Sequence, residues 1–192
     1  AQGGGYTTIP QNLLENGGVL GGLLSFRRTS LGEAENALGR VSLALAQTFN
    51  NQNKLGQDLN GALGQDLFSI GSTSPTIYAN SGNSSSGAAL LTATLSSNAA
   101  GALTTSDYTL AYNSASSNYT LTQLSDGTAT TIASSALPAT TSYGFTIALS
   151  SGTPTNGGKW LLLPTRFGAR DISVATTDPN RIAAAAPIRT AE

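Results

Sequence analysis

Cysteine and histidine are both absent from the 192 residues. Their absence excludes disulfides, thiolate nucleophiles, soft metal sites and the commonest general base and metal ligand. Charge is scarce too: Asp, Glu, Lys and Arg make up 10% of the chain, against about 25% in an ordinary soluble domain. Nine basic and ten acidic residues leave a net charge of −1, so no positive field exists to hold nucleic acid. The chain has no run of about 18 apolar residues and no basic start leading into an apolar core, so neither membrane insertion nor a cleaved signal peptide is expected. Ser, Thr, Gly and Asn fill the space that charge leaves. That composition suits secreted bacterial surface proteins, and 192 residues allow one core or a small domain with an extension.

The strongest pattern lies near the amino terminus. Leu31, Leu38 and Leu45 recur every seven residues, and Ala34, Val41 and Thr48 follow three positions after each. This is an a/d stripe, with Glu33, Glu35, Arg40 and Gln47 on other faces. Alanines 34, 37, 44 and 46 favour helix, and Ser30 with Glu33 reads as an N-cap and capping box. The spacing predicts a helix over about 31–53, preceded by a short helix with Leu20, Leu23, Leu24 and Arg27 on one face that loosens near Thr29-Ser30. Gly21-Gly22 reads as a hinge. A lone amphipathic helix cannot bury its stripe, so Leu31, Ala34, Leu38, Val41, Leu45, Thr48 and Phe49 form a candidate helical interface. Its partner is either the chain's own β domain or helices outside these residues.

Beyond Gly56 the period changes. Residues 89–95, 108–112, 119–124, 144–149 and 159–163 read as short strands separated by Asn113-Ser114, Ser125-Asp126-Gly127 and Asn156-Gly157-Gly158 turns. An antiparallel meander closing into a sandwich or barrel is expected, with its Ser/Thr positions solvated. A further strand is expected near Ile172 and Val174, and Asp178-Pro179 reads as the start of a short helix over 181–186. The expected fold class is therefore α+β. It comprises a helical remnant of one or two amphipathic helices and an antiparallel β-sandwich or barrel-like domain. The expected division is an irregular lead-in or hairpin over 1–18, a helical segment over 19–68, an exposed β domain over 69–165, and a return strand and short helix over 166–192.

Candidate chemistry is thin. Asp58-Leu59-Asn60-Gly61 superficially suits calcium, but Leu63 and Ser69 occupy the sixth and twelfth positions, which favours a hydrogen-bonded turn. A Ser/Lys pair would need Lys54 or Lys159, neither in a motif. Asp107 and Asp126, the only charges between Asp66 and Lys159, read as turn residues before they read as a glycosidase pair. Trp160 with Tyr108, Tyr112, Tyr119 and Tyr143 reads as core before it reads as a sugar platform.

Several ordered blocks also carry a resemblance: 17–27, 31–40, 44–52, Gly56-Gln57-Asp58-Leu59-Asn60-Gly61 with Phe68, then 161–166, Asp178-Pro179 and 182–185. Together they resemble the flagellar hook-associated proteins of the hook-filament junction. The family usually has histidine after the glutamine of the third block, where this chain has Asn53. The resemblance implies a structural component of the bacterial flagellum, not an enzyme, with no cofactor. It implies an extracellular protein exported through the flagellar channel without a cleaved signal. Implied partners are neighbouring subunits, the hook protein and the second junction protein, with an export chaperone only for the full-length protein. The family's terminal helices have no counterpart here, so a central fragment that is monomeric in solution is expected. The alternative function is a secreted adhesin or carbohydrate-binding module.

Overall fold

The computed structural model describes residues 5–8, 18–71, 75–84, 88–97 and 99–185. The expected lead-in therefore lies mostly outside the described residues, although Tyr6 forms a parallel bridge to Asn80.

A helical rod comes first. Helix α1 (Gly18–Phe26), a π-helical turn (Arg27–Leu31) and helix α2 (Gly32–Lys54) follow without a break, spanning about 55 Å at 1.5 Å per residue. The expected Ser30 cap and its Glu33 capping box do not form. Leu31 is itself helical and no side chain caps α2, because the Gly32 N–H already bonds to the Arg27 carbonyl through the π turn. Gly21-Gly22 is likewise no hinge; it lies inside α1, with Gly21 buried.

The inward face of α2 consists of Gly32, Asn36, Gly39, Leu43, Ala46, Asn50 and Asn53. Small residues there let the chain cross very close to the helix. A Cβ at Gly39 would stand 1.7 Å from the Thr165 carbonyl oxygen, and one at Gly168 would stand 2.6 Å from Leu43 Cγ. The short helix α3 (Gly168–Asp171) consequently packs directly on α2.

The strands are β1 (Phe68–Ser69), β2 (Thr76–Ala79), β3 (Leu90–Leu95), β4 (Tyr108–Asn113), β5 (Asn118–Gln123), β6 (Ala129–Ala133), β7 (Ala139–Thr140), β8 (Phe145–Ser151), β9 (Lys159–Leu163) and β10 (Ser173–Val174). They form a five-stranded sheet ordered β2-β9-β4-β5-β6, a three-stranded sheet ordered β3-β8-β7 and a β1-β10 ribbon, all antiparallel. Only β4-β5-β6 is the meander that was expected. Leu91, Phe145 and Ile147 of the smaller sheet share one core with Tyr108, Leu110, Tyr119, Leu121, Trp160 and Leu162 of the larger. A continuous meander would leave one apolar face of that sheet wet; dividing the strands between two layers covers it. A second small cluster of Leu43, Ala99 and Leu103 joins α2 to the sandwich.

The carboxy-terminal segment departs from expectation. Asp178 does accept a hydrogen bond from the Asn180 N–H at 3.0 Å, but it starts only a 3-10 turn, Pro179–Arg181. The residues described beyond it are extended, because their backbone groups are already engaged. Ala183 N–H donates to Asn53 Oδ1 at 2.8 Å, and Ala185 bridges Gln57. These contacts override the helix propensity of the alanines. Ala186 lies outside the described residues.

Gly39→Ala is expected to lower the melting temperature by about 5–10 °C in circular-dichroism melts, because the clash is with backbone. Gly22→Ala, which meets nothing within 4 Å, is expected to raise it by about 1–3 °C. Burial also pushes the Tyr108 hydroxyl up to about 12. The stability that hydroxyl contributes is fully present below about pH 10 and lost as pH rises through the raised value. Alkaline melts of Tyr108→Phe should lack that loss.

Candidate assembly surface

All seven candidate interface residues point away from the sandwich. Leu31 is 42% exposed, Leu38 62%, Val41 63%, Leu45 44% and Phe49 52%, and Ala34 and Thr48 are exposed beside them. At 100° per residue their stripe lies roughly 135° around α2 from the buried one. Each stripe repeats every seven residues: Gly32, Gly39, Ala46 and Asn53 inward, Leu31, Leu38 and Leu45 outward.

The π turn extends the outward stripe. A π turn holds one residue more than an α turn, so everything after it shifts by one position. Val19, Leu23 and Phe26, spaced by four and three, therefore continue into Leu31 and Ala34 and not into Ser30 and Glu33. Burial bears out this phase: Gly21 is buried and precedes buried Asn36 by two heptads plus one residue. Val19, Leu23 and Phe26 are exposed, giving four heptads of uncovered apolar seam. Leu20, Leu23, Leu24 and Arg27 do share one helical face, but only Leu23 lies on the exposed seam; Leu20 flanks it and Leu24 is half-buried. The 4-3 spacing of 19, 23 and 26 was legible in the sequence, but the one-residue offset was not.

The inward stripe works through amides. Asn50 Oδ1 accepts from the Leu67 and Phe68 N–H groups at 2.9 Å each, while its Nδ2 donates to the Phe68 carbonyl at 2.7 Å. Asn53 Nδ2 donates to the Gln65 carbonyl at 2.7 Å and Gln47 Nε2 to the Ser96 carbonyl at 2.7 Å. Each side chain thereby satisfies backbone groups of a segment running over the helix, which a leucine there could not do. Sequence reading missed these residues because buried asparagine mimics a solvated face.

One charged cluster joins the rod to the sandwich. Asn36 Nδ2 donates to Asp107 Oδ1 at 3.0 Å, Thr165 Oγ1 donates to Asn36 Oδ1 at 3.0 Å, and the Arg166 guanidinium pairs with the other Asp107 oxygen. Burial pushes the Asp107 carboxyl up, partly offset by Arg166 and by the Asn36 hydrogen bond.

The remaining chemical candidates are occupied elsewhere. Asp58 Oδ1 accepts from the N–H groups of Asn60 and Ala62 in a turn that uses Gly61 at φ 79°. Asp126 accepts from the Thr128 N–H, and Lys54 pairs with Asp66. Tyr108, Tyr119 and Trp160 are core residues at 3% exposure or less, so they offer no sugar-stacking face. Among the described residues no group of three or more acidic side chains could hold a metal ion, and no helix is long and apolar enough to cross a membrane.

The rod matches the helical domain of the flagellar hook-associated protein FlgK over residues 2–68, and the sandwich matches the D2-like domain of flagellar hook-associated protein 1 over residues 78–164. The chain belongs to the flagellar hook-associated protein 1 family. Family members from Escherichia coli K12 and Salmonella typhimurium LT2 are 33% and 34% identical to it over 181 residues, 94% of this chain and 31% of each relative. The solved flagellar hook junction protein FlgK of Burkholderia pseudomallei superimposes with a TM-score of 0.75 at 38% identity, covering 88% of this chain and 29% of that one. The chain therefore spans about a third of the length of the hook-associated proteins it matches, and these relatives are named as flagellar components and not as enzymes.

Because the folded value of Asp107 is raised, its share of stability is fully present below the unfolded carboxylate value of about 3.9 and is lost as pH rises through the folded value. Denaturant midpoints of the natural chain and of Asp107→Asn, compared from about pH 3 to 8, should show the natural chain losing ground as pH rises. The opposite slope would mean that the Arg166 pair outweighs burial.

Proposed function

We propose that the chain is the rod and outer domain of a non-catalytic hook-filament junction protein, linking the hook to the filament lattice of a bacterial flagellum. In this reading residues 19–68 serve assembly and 69–165 form an exposed, weakly charged outer domain. The protein is extracellular and leaves through the flagellar channel without a cleaved signal. Its partners are neighbouring subunits, the hook protein and the second junction protein.

The observation that carries this reading is the uncovered seam. Nine large apolar side chains along the rod are between 42% and 83% exposed, on the order of 900 Å² at about 100 Å² apiece. A monomer's largest patch is typically about 300–600 Å², whereas each side of a standard protein interface contributes about 800 Å². A four-heptad a/d seam is shaped for helices, and it carries little charge to repel them. An adhesin would instead need a recognition face; of the aromatic residues that favoured one, Tyr108, Tyr119 and Trp160 are in the core, and Tyr112 and Tyr143 are half-buried against it.

Leu38→Asp with Val41→Asp should leave the circular dichroism of the 192-residue chain unchanged, because both residues are exposed. In a flagellated cell the same pair of changes in the full-length protein should abolish motility and release filaments into the medium. Normal swimming with both aspartates present would refute the proposal.

A further inference from the structure

Strand β2 lies at one edge of the five-stranded sheet, and the outward N–H and C=O groups of an edge strand need water, a cover or another strand. Which groups point outward follows from the other side. The Asn80 N–H donates to the Lys159 carbonyl of β9 at 2.9 Å, and backbone groups alternate in direction along a strand, so Ala79 and Ser81 direct theirs away from β9. Residues 5–8 meet them there. The Tyr6 N–H donates to the Ala79 carbonyl at 3.0 Å, and the Ser81 N–H donates to the Tyr6 carbonyl at 2.9 Å. The Thr7 and Ser81 hydroxyls hydrogen-bond at 2.7 Å.

Tyr6 runs parallel to β2 at Asn80. Parallel neighbours cannot be joined by a tight turn and need a long crossover; here that crossover contains the whole rod. Residues 5–8 fall within the stretch that matches the helical domain, yet they lie on the sandwich. The chain thus enters the rod from one position at this edge and returns, as β2, to the adjacent one.

The attachment rests on one side chain. Tyr6 is half-buried, whereas Gly5, Thr7 and Thr8 are exposed. Burial pushes the Tyr6 hydroxyl up, partly offset by its hydrogen bond with the Asn80 side chain. The turn that receives Tyr6 holds its own shape. The Gly82 N–H donates to Asn80 Oδ1 at 2.9 Å and the Asn83 N–H to the Asn80 carbonyl at 3.0 Å. Asn83 Nδ2 donates to the Lys159 carbonyl at 2.7 Å, and the Lys159 N–H donates to Asn83 Oδ1 at 2.8 Å. None of these bonds uses residues 5–8, so the receiving edge keeps its shape when they leave.

We propose that the outer edge of β2 is a preformed strand-acceptor site, and that residues 5–8 are its reversibly bound ligand, a strap anchored by Tyr6 that fastens the start of the rod to the sandwich. The site takes an extended peptide that runs parallel to β2, with tyrosine opposite Asn80 and a hydroxyl residue after it. The strap gives the rod an attachment additional to the crossing at Gly39. Held by two edge backbone bonds and one half-buried ring, it opens by local fluctuation while the sandwich stays folded.

Amide exchange in the 192-residue chain distinguishes the two sides of β2, because the Ser81 N–H faces the strap and the Asn80 N–H faces β9. Tyr6→Ala should speed Ser81 exchange about tenfold, the loss expected for one half-buried aromatic anchor, and leave Asn80 exchange and the circular-dichroism melt unchanged. Tyr6→Phe keeps the ring and should keep most of the protection. A synthetic peptide of residues 1–10, added at about 5 mM to the Tyr6→Ala chain, should slow Ser81 exchange again, and the same peptide carrying Tyr6→Ala should not. Unchanged Ser81 exchange in Tyr6→Ala overturns the proposal, because the strap is then not anchored by Tyr6. Asn80 exchange that accelerates together with Ser81 overturns it too, since strap and edge then open as one unit. A peptide that fails to protect Ser81, or that protects it equally without its tyrosine, refutes the acceptor site.

Discussion

The close contact between α2 and the chain that crosses it at Thr165–Gly168 sets the geometry of the rest. At Gly39 there is no room for even a methyl group before the Thr165 carbonyl, and Gly168 is equally constrained by Leu43. Because the crossing segment directly follows β9, whose neighbours are β2 and β4, this contact also fixes the sandwich against the rod. Asn36 completes the attachment by hydrogen-bonding to both Asp107 and Thr165. A bulkier inward stripe would separate the two parts and break these bonds together.

The same helix therefore has two faces with different chemistry. The inward face offers small residues for close approach and amides that bond to passing backbone. The outward face carries leucine, valine and phenylalanine that the sandwich never reaches. Apolar surface is usually buried within a domain and polar surface left outside; α2 largely reverses that arrangement because much of its inward face meets crossing backbone, with Leu43 packing into a small apolar cluster and Asn36 bonding to the Asp107 side chain. The largest apolar surface of this member of the hook-associated protein 1 family therefore lies exposed along the rod.

Much of this was legible beforehand. The heptad spacing of Leu31, Leu38 and Leu45 located the long helix, and alternation with β-branched and aromatic residues located β3, β4, β5, β8 and β9. Strands β2, β6 and β7 were missed because they are short or almost wholly Thr and Ala, with little alternation to detect. The helix expected after Asp178 failed for a different reason: its alanines favour helix locally, but Asn53 and Gln57 hold the segment extended. The ordered resemblance blocks pointed to the family when no single motif could, since cysteine, histidine and recognisable catalytic groupings were all missing.

What the sequence determined by itself was local and periodic: where a rod lies, that one of its stripes is apolar, that strands follow, and which chemistries its composition excludes. Which stripe faces inward was decided only by tertiary structure, since burial depends on what crosses the helix and Asn50 reveals its role only beside Leu67 and Phe68. The continuity of the seam from Val19 to Thr48 was decided there too. A single extra residue in the Arg27–Leu31 turn rotates one helix relative to the next by about 100°, and linear spacing does not record where that residue is absorbed.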